Sequence, residues 1–492
     1  MAAASDRQAM TATPMARALC ALAACWALAA HAAPDTLLGV DDARLLLTRT
    51  GFGATPAEIV AFSALSRHQA VDRLLDATIT RAVAPPPPEL TDPATMLRPA
   101  RDAADGERKA FRRRQRDAGL ALRAWWLREM LVTPSPLTER MTLFWHGHFA
   151  SSQQKVKVAA LMYRQNVTLR ANAVGNFGTL LHAVAKDPAM LVYLDTVQNR
   201  RGHANENFAR EVMELFTLGE GHYAEQDIRE AARAFTGWSI ERDSGTYLFR
   251  PRLHDAGIKT VFGKSGSFDG DDVLDLILAR PETARFITTA LWRELVSPEP
   301  DAAAVERIAA RFRDAHYDIK ALLRAVLEDD AFYAAAARGT LVRSPADLVA
   351  GTLRTLDIVP ANMLPYAIAC AGMGQNLFSP PNVRGWPGGD AWINTNTLLA
   401  RKQFLERIAR ADNFGEGAAM APAPEGPPRR LRSAKFDADA WMAQVPHDTG
   451  ADSRARALRM LLPIDAVDAA SIKGDVPGVV RAALQDPVYQ LE

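Results

Sequence analysis

The sequence predicts an all-α fold: an α-rich, multi-helix globular domain with one short β-hairpin at most. Three observations predict it. Apolar residues recur at helical spacing in nearly every patterned segment. Capping residues followed by proline open several of these segments, as at Thr55-Pro56 and Ser135-Pro136. Strand-like patterning is confined to Thr246–Arg250 and Lys259–Phe262. Hydrophobic residues at 48% and charged residues at 23% are ordinary for a chain that buries a sizeable core.

From the N-terminus, Arg7 and Arg17 precede an apolar run over 18–30, and Ala30-His31-Ala32 offers the small residues that signal peptidase reads. Residues 1–32 therefore read as a signal peptide, which predicts a periplasmic or secreted protein. Leu22-Ala23-Ala24-Cys25 also fits a lipobox, but the chain stays apolar beyond Cys25, which favours simple export over lipid anchoring there. No later run reaches the ~18 uninterrupted apolar residues of a transmembrane span. With Cys20 and Cys25 in the leader, Cys370 stands alone in an apolar run and reads as a buried, inert thiol.

Periodicity predicts helices over 41–49, 56–77, 106–131, from Ser135 into the His146 cluster, 156–170, 177–185 and 206–218. Further helices follow over 226–235, 271–279, 281–295, 302–315, 319–327, 345–356, 363–372 and 395–410. Pro85–Pro88 is a stiff spacer. Residues 412–433, rich in Gly, Pro and Ala, separate a main helical domain (33–411) from a small helical C-terminal region (434–492). A net charge of +1 gives no electrostatic reason to expect nucleic acid as a partner. The basic run Arg108–Arg116 is flanked by Asp105, Glu107 and Asp117 and reads as a solvated helix face.

Residues suited to chemistry gather in three places. The stretch Asn205–Trp238 is dense in carboxylates. With Asn207 at 0° on an ideal helix, Glu211 falls at about 40° and Glu214 at about 340°, so they share one stripe. Phe208, Val212, Leu215 and Phe216 cover the other side, and Gly219 is placed as a C-cap. Glu211, Glu214, Asp227 and His254 are the candidate catalytic groups, since acid/base work needs carboxylates or imidazole. The competing reading is an exposed face braced by Glu206–Arg210, with ion pairing along 225–233. His146 and His148 are candidate ligands of a divalent metal. They lie about 200° apart on a helix, so joint ligation requires unwinding at Gly147. The alternative is one imidazole hydrogen-bonded in the core and one near the surface. The loop Ser379–Trp392 offers Arg384, Trp386 and Trp392 as candidate substrate-binding residues, in a lid or stacking platform, or else as a structural plug. No nucleophile elbow, P-loop, dinucleotide fingerprint or His-Glu-x-x-His occurs.

The segments LTRTGFGATPAEI (47–59), ERMTLFWHGHF (139–149), KDPAMLVYLD (186–195), NENFAREVMELFTLGEGHY (205–223), AARAFTGW (231–238) and PPNVRGWPGG (380–389) carry a resemblance. Together the chain resembles the bacterial family catalogued as domain of unknown function 1800. That resemblance implies an exported, mainly helical protein and, from a frequent gene neighbour, an exported sulfatase-like partner. It implies no catalytic residue, and Gly147 stands where asparagine is common in that family. Two expectations follow. One is a metal-assisted or carboxylate-based hydrolase acting on envelope or extracellular polymer. The other is a non-catalytic scaffold or assembly partner of the sulfatase-like protein.

Overall fold

Caps and prolines decide where most of the helices begin. The computed structural model describes residues 36–92, 103–241, 243–410, 436–446, 451–470 and 472–492. Among these residues 23 α-helices and two small antiparallel hairpins make up the fold, so the all-α expectation holds. The segments read as signal peptide and linker lie outside the described residues.

Thr55 and Glu58 form a complete capping box with Pro56 in the first turn. A second box at Ser66 starts the helix Arg67–Asp76, which is why 56–77 is two helices and not one. Lys157, left-handed at φ +64°, likewise divides 156–170 into the short helix Gln153–Val156 and the longer Ala159–Asn172. The two strand-like segments form strands, but not with each other. Tyr247–Phe249 pairs with Trp238–Ile240, and Lys259–Val261 pairs with Lys264–Gly266. Phe262 and Gly263, at φ +49° and +74°, make the two-residue turn that gives the second strand a nearer partner.

The helix Asp105–Val132 organises the core. Its basic N-terminal turns are exposed, whereas Leu122, Trp125, Trp126, Leu127 and Met130 are buried. It meets the helices Ala159–Asn172, Pro345–Thr355 and Leu364–Gly372. Each large apolar side chain buried here contributes roughly 1.5–3 kcal/mol.

Two ion-pair centres lie inside this apolar frame. Glu139 and Arg170, both 1% exposed, pair directly, and Trp126 Nε1 donates to Glu139 Oε2 at 2.9 Å. Next to Glu139 in sequence, Arg140 donates to Gly51 O at 2.7 Å and pairs with Asp347 at 2.9 Å. Glu294 at 3.4 Å and Glu492 at 3.8 Å complete its surroundings. Burial lowers the proton affinity of Arg140, and Asp347, Glu492 and Glu294 outweigh it. Arg49 reaches Val296 O at 2.8 Å and Glu492 O at 3.2 Å, and Arg401 donates to Arg343 O at 2.9 Å. Tyr489 and Thr352 hydroxyls meet at 3.1 Å. The helical C-terminal region therefore shares one unit, residues 38–492, with the rest.

Replacing Arg140 by Met leaves buried carboxylates uncompensated, with an expected loss of ~3–5 kcal/mol. Urea denaturation measures this, and a loss below ~1 kcal/mol would show the pair to be effectively solvent-screened.

A second prediction concerns Asp187, which caps the helix Pro188–Tyr193. Its Oδ1 accepts from Gln165 Nε2 at 2.9 Å, Ala189 N at 3.0 Å and Met190 N at 3.1 Å. Burial raises its pKa from 3.8 to about 7 against the pull of those bonds. The folded state thus holds a proton that the unfolded chain releases, so this contribution is complete below pH ~4 and fades as pH rises through ~7. Asp187→Asn keeps an oxygen for all three bonds and removes the titration. Thermal midpoints at pH 5 and pH 8 should therefore fall less in the variant than in the wild type; parallel profiles would refute the assignment.

Candidate functional site

The candidate site begins where the glutamate helix, Asn207–Glu214, ends four residues short of its predicted limit. Phe208, Ala209, Val212 and Met213 face the core, so Glu211 and Glu214 take the outer stripe, as the spacing predicts. After Glu214 the backbone widens. Phe216 N bonds Glu211 O at 3.0 Å and Leu218 N bonds Met213 O at 2.9 Å, both to the fifth residue back. Such π-type turns recur at functional sites. Gly219, at φ +83°, closes the turn with its N–H on Met213 O, so the predicted glycine cap is real although the helix stops earlier.

The widened turn frees a carbonyl for the histidine helix, Pro136–His148. His148 Nε2 lies 2.9 Å from Phe216 O, which assigns the proton to that nitrogen. Burial pushes His148 down to about 4, with the Phe216 bond opposing, so the ring is neutral. Phe144, Trp145, Phe149, Phe216 and Phe286 surround it. His146 lies elsewhere, walled by Trp126, Phe378 and Trp386 at 5.2–5.5 Å between ring centres. Burial lowers its pKa to about 3. The helix does not unwind at Gly147, and the two imidazoles have separate surroundings. Among the described residues no group of three or more His, Cys, Asp or Glu is placed to hold a metal ion.

The loop Ser379–Trp392 rests on the end of the histidine helix. A Cβ on Gly385 would lie 2.4 Å from Gly147 O, so this close approach requires glycine, as does its φ of +81°. From here Arg384 reaches across to the glutamate helix, 3.3 Å from both Glu214 and Glu220. Trp386 turns inward onto His146. Trp392 is buried against Gly374, and its carbonyl accepts from Thr397 Oγ1 at 2.9 Å, so it serves as a plug.

Glu214 is held at both oxygens, by Arg384 and by Tyr223, whose hydroxyl donates to Oε2 at 2.7 Å. The Glu211 carboxylate makes no hydrogen bond or ion pair to any described residue. Its pKa is raised, first by burial and then by the neighbouring Glu214 charge, with Arg384 and Arg210 pulling the other way. Burial and Glu211 together also raise Tyr193, on whose ring Lys155 stacks at 5.7 Å.

Asp227 and His254 are not part of this cluster. Asp227 accepts from Ala224 N and Phe262 N, each at 2.8 Å, fixing a helix start to the second hairpin. His254 Nδ1 lies 3.0 Å from Thr236 O, with Phe249 against the ring. Spacing in the sequence did not single out Tyr193 or Tyr223, although Tyr223 ends the run that begins at Asn205, nine residues beyond Glu214.

A family model described as "Protein of unknown function (DUF1800)" matches residues 45–491. The chain belongs to this family. Comparison with curated proteins and with solved structures returned no match. In this DUF1800 chain three of the segments that carried the resemblance, 139–149, 205–223 and 380–389, converge on the one cluster. No described helix is long and apolar enough to cross a membrane.

The glycine contact gives a paired prediction. Gly385→Ala should cost at least ~2 kcal/mol, because the Cβ meets a backbone oxygen and the conformation is left-handed. Gly147→Ala, whose Cβ would find only Trp386 Cε3 at 4.0 Å, should be neutral or gain up to ~1 kcal/mol from helix propensity. Equal effects in chemical denaturation would show that the loop does not rest on the helix in this way.

Proposed function

We propose that the Glu211–Glu214 cluster is the acid/base site of a carboxylate-based hydrolase acting on envelope or extracellular polymer. The observation that supports this reading best is the unlike treatment of two carboxylates one helical turn apart. Glu211 is unpartnered and has a raised proton affinity, whereas Glu214 is held by Tyr223 and Arg384. Pairs of carboxylates in unlike environments divide the roles of acid and base. Here Glu211 donates its proton to the leaving-group oxygen as the bond to it breaks, and Glu214 takes a proton from the attacking water. Tyr223 and Arg384 position Glu214, and Arg384 is exposed enough to meet substrate as well. The export signal read in residues 1–32 suits a polymer outside the cytoplasm.

The metal-assisted version has less support, because His146 and His148 do not share a set of donors. The scaffold reading, with a sulfatase-like partner, relied on tryptophans as a docking surface. Trp392 is buried and Trp386 faces His146, which favours the enzyme.

The test is turnover of neutral glycans and peptidoglycan fragments by the purified chain. Glu211→Gln and Glu214→Gln should each lower kcat by ~10²–10⁴-fold. Tyr223→Phe should leave the protein folded, give a smaller loss and move the acidic side of the pH profile, the limb set by the general base that Tyr223 holds. Full activity in a Glu211→Gln, Glu214→Gln double variant would sink the assignment.

A further inference from the structure

Behind the tryptophan loop lies a second feature that the acid/base reading does not use. His146 is fully buried, and neither ring nitrogen has a hydrogen-bond partner. The indole Nε1–H of Trp386, on the ring 5.5 Å from it, also has none. Asn166, fully buried on the helix that carries Arg170, leaves both amide atoms unpartnered as well. Burying such a group without a partner costs ~1–3 kcal/mol, and native proteins keep few of them.

Core filling does not account for His146. Its walls are the rings of Trp126, Phe378 and Trp386, an apolar setting in which a hydrocarbon side chain would bury no polar atom. The donor and acceptor inventory narrows what the histidine is for. A neutral imidazole offers one N–H and one acceptor, and the indole offers one N–H. A neutral imidazole supplies no charge to hold an anion, and one imidazole beside an N–H donor is not a metal donor set. A hydroxyl, which donates and accepts at one oxygen, matches both side chains. Gly385 seated on Gly147 holds Trp386 over this position, while Arg384, two residues earlier, leads outward to Glu214.

We propose that His146 and Trp386 bind one small hydroxylic ligand, water or the hydroxyl of a bound molecule, behind the tryptophan loop. This does not depend on the hydrolase reading, since no turnover enters its test. The experiment is a high-resolution crystal structure of the full chain, with and without an ethylene glycol soak, alongside ¹⁵N spectra of the His146 ring. Density about 3 Å from both a His146 ring nitrogen and Trp386 Nε1 is the expected result. A single-atom peak unchanged by the diol identifies water as the ligand, and a peak replaced by the diol identifies a hydroxyl admitted from outside. In solution His146 should hold one neutral tautomer from pH 5 to 8, with a ring N–H that shows cross-relaxation to water or diol. Trp386→Phe, which keeps a ring and removes the N–H, should shift the His146 ¹⁵N resonances, and His146→Phe should fold and abolish the density. Absence of density together with tautomer averaging, or both ring nitrogens bonded to protein groups, overturns the proposal. If His146→Phe fails to fold, the wild-type density and spectra still decide.

Discussion

A single guanidinium, that of Arg140, constrains much of the rest of the structure. An arginine only 3% exposed must find its compensation inside the protein. The groups that supply it come from the Gly51 carbonyl, Glu294, Asp347 and Glu492, so distant stretches of chain have to meet at one point. Three carboxylates around one arginine are more than it needs. Burial, followed by their mutual repulsion, accordingly raises Glu492, and protonation of the cluster relieves the excess. One residue earlier, Glu139 is committed to Arg170. Adjacent residues on a helix point about 100° apart, so these two pairs anchor the start of the histidine helix from different sides. His146 and His148, two turns later, are placed by that anchorage.

The cluster at the far end is assembled mainly through the backbone. A π-type turn after Glu214 exposes the Phe216 carbonyl to His148, and a glycine-to-glycine contact seats the tryptophan loop on the same helix end. Arg384 then joins the loop to Glu214, and Tyr223 closes the other side. Each link is short, and the His148–Phe216 bond is itself only partly buried. The rim residues Arg384 and Glu220 are 64% and 70% exposed, so their pairing is worth little to stability and is free to exchange for a ligand.

The helices were legible in the sequence because apolar spacing and capping residues agree with one another in most segments. The breaks at Ser66 and Lys157 were not, since apolar spacing runs on across both and only the cap or the left-handed residue interrupts it. The Glu211–Glu214 stripe was legible from angular position alone. Its partners were not: Arg384 lies 170 residues from Glu214, and nothing in its loop says which way it reaches. Charge density also misleads. Asp227 looks like part of a reactive cluster, yet its carboxylate fastens a helix start to a hairpin. Conversely, Glu139-Arg140 looks like ordinary helix surface, and only tertiary structure shows that both are buried.

What distinguishes the candidate site from the structural charges is therefore satisfaction rather than number. Glu139 has Arg170 and Trp126, and Asp187 has three donors on one oxygen. Glu211 has no such partner, and neither has His146. Folding by itself gives no advantage to a half-buried carboxylate without a donor or to a buried imidazole without a partner; both lower stability relative to apolar or paired alternatives. Both lie beside the same loop, Glu211 near Arg384 and Glu214, His146 against Trp386. A loop whose one arginine faces the carboxylates and whose Trp386 covers the histidine links the two. Both groups thus keep polar chemistry that folding alone does not reward, and one short loop reaches both, through Arg384 and through Trp386.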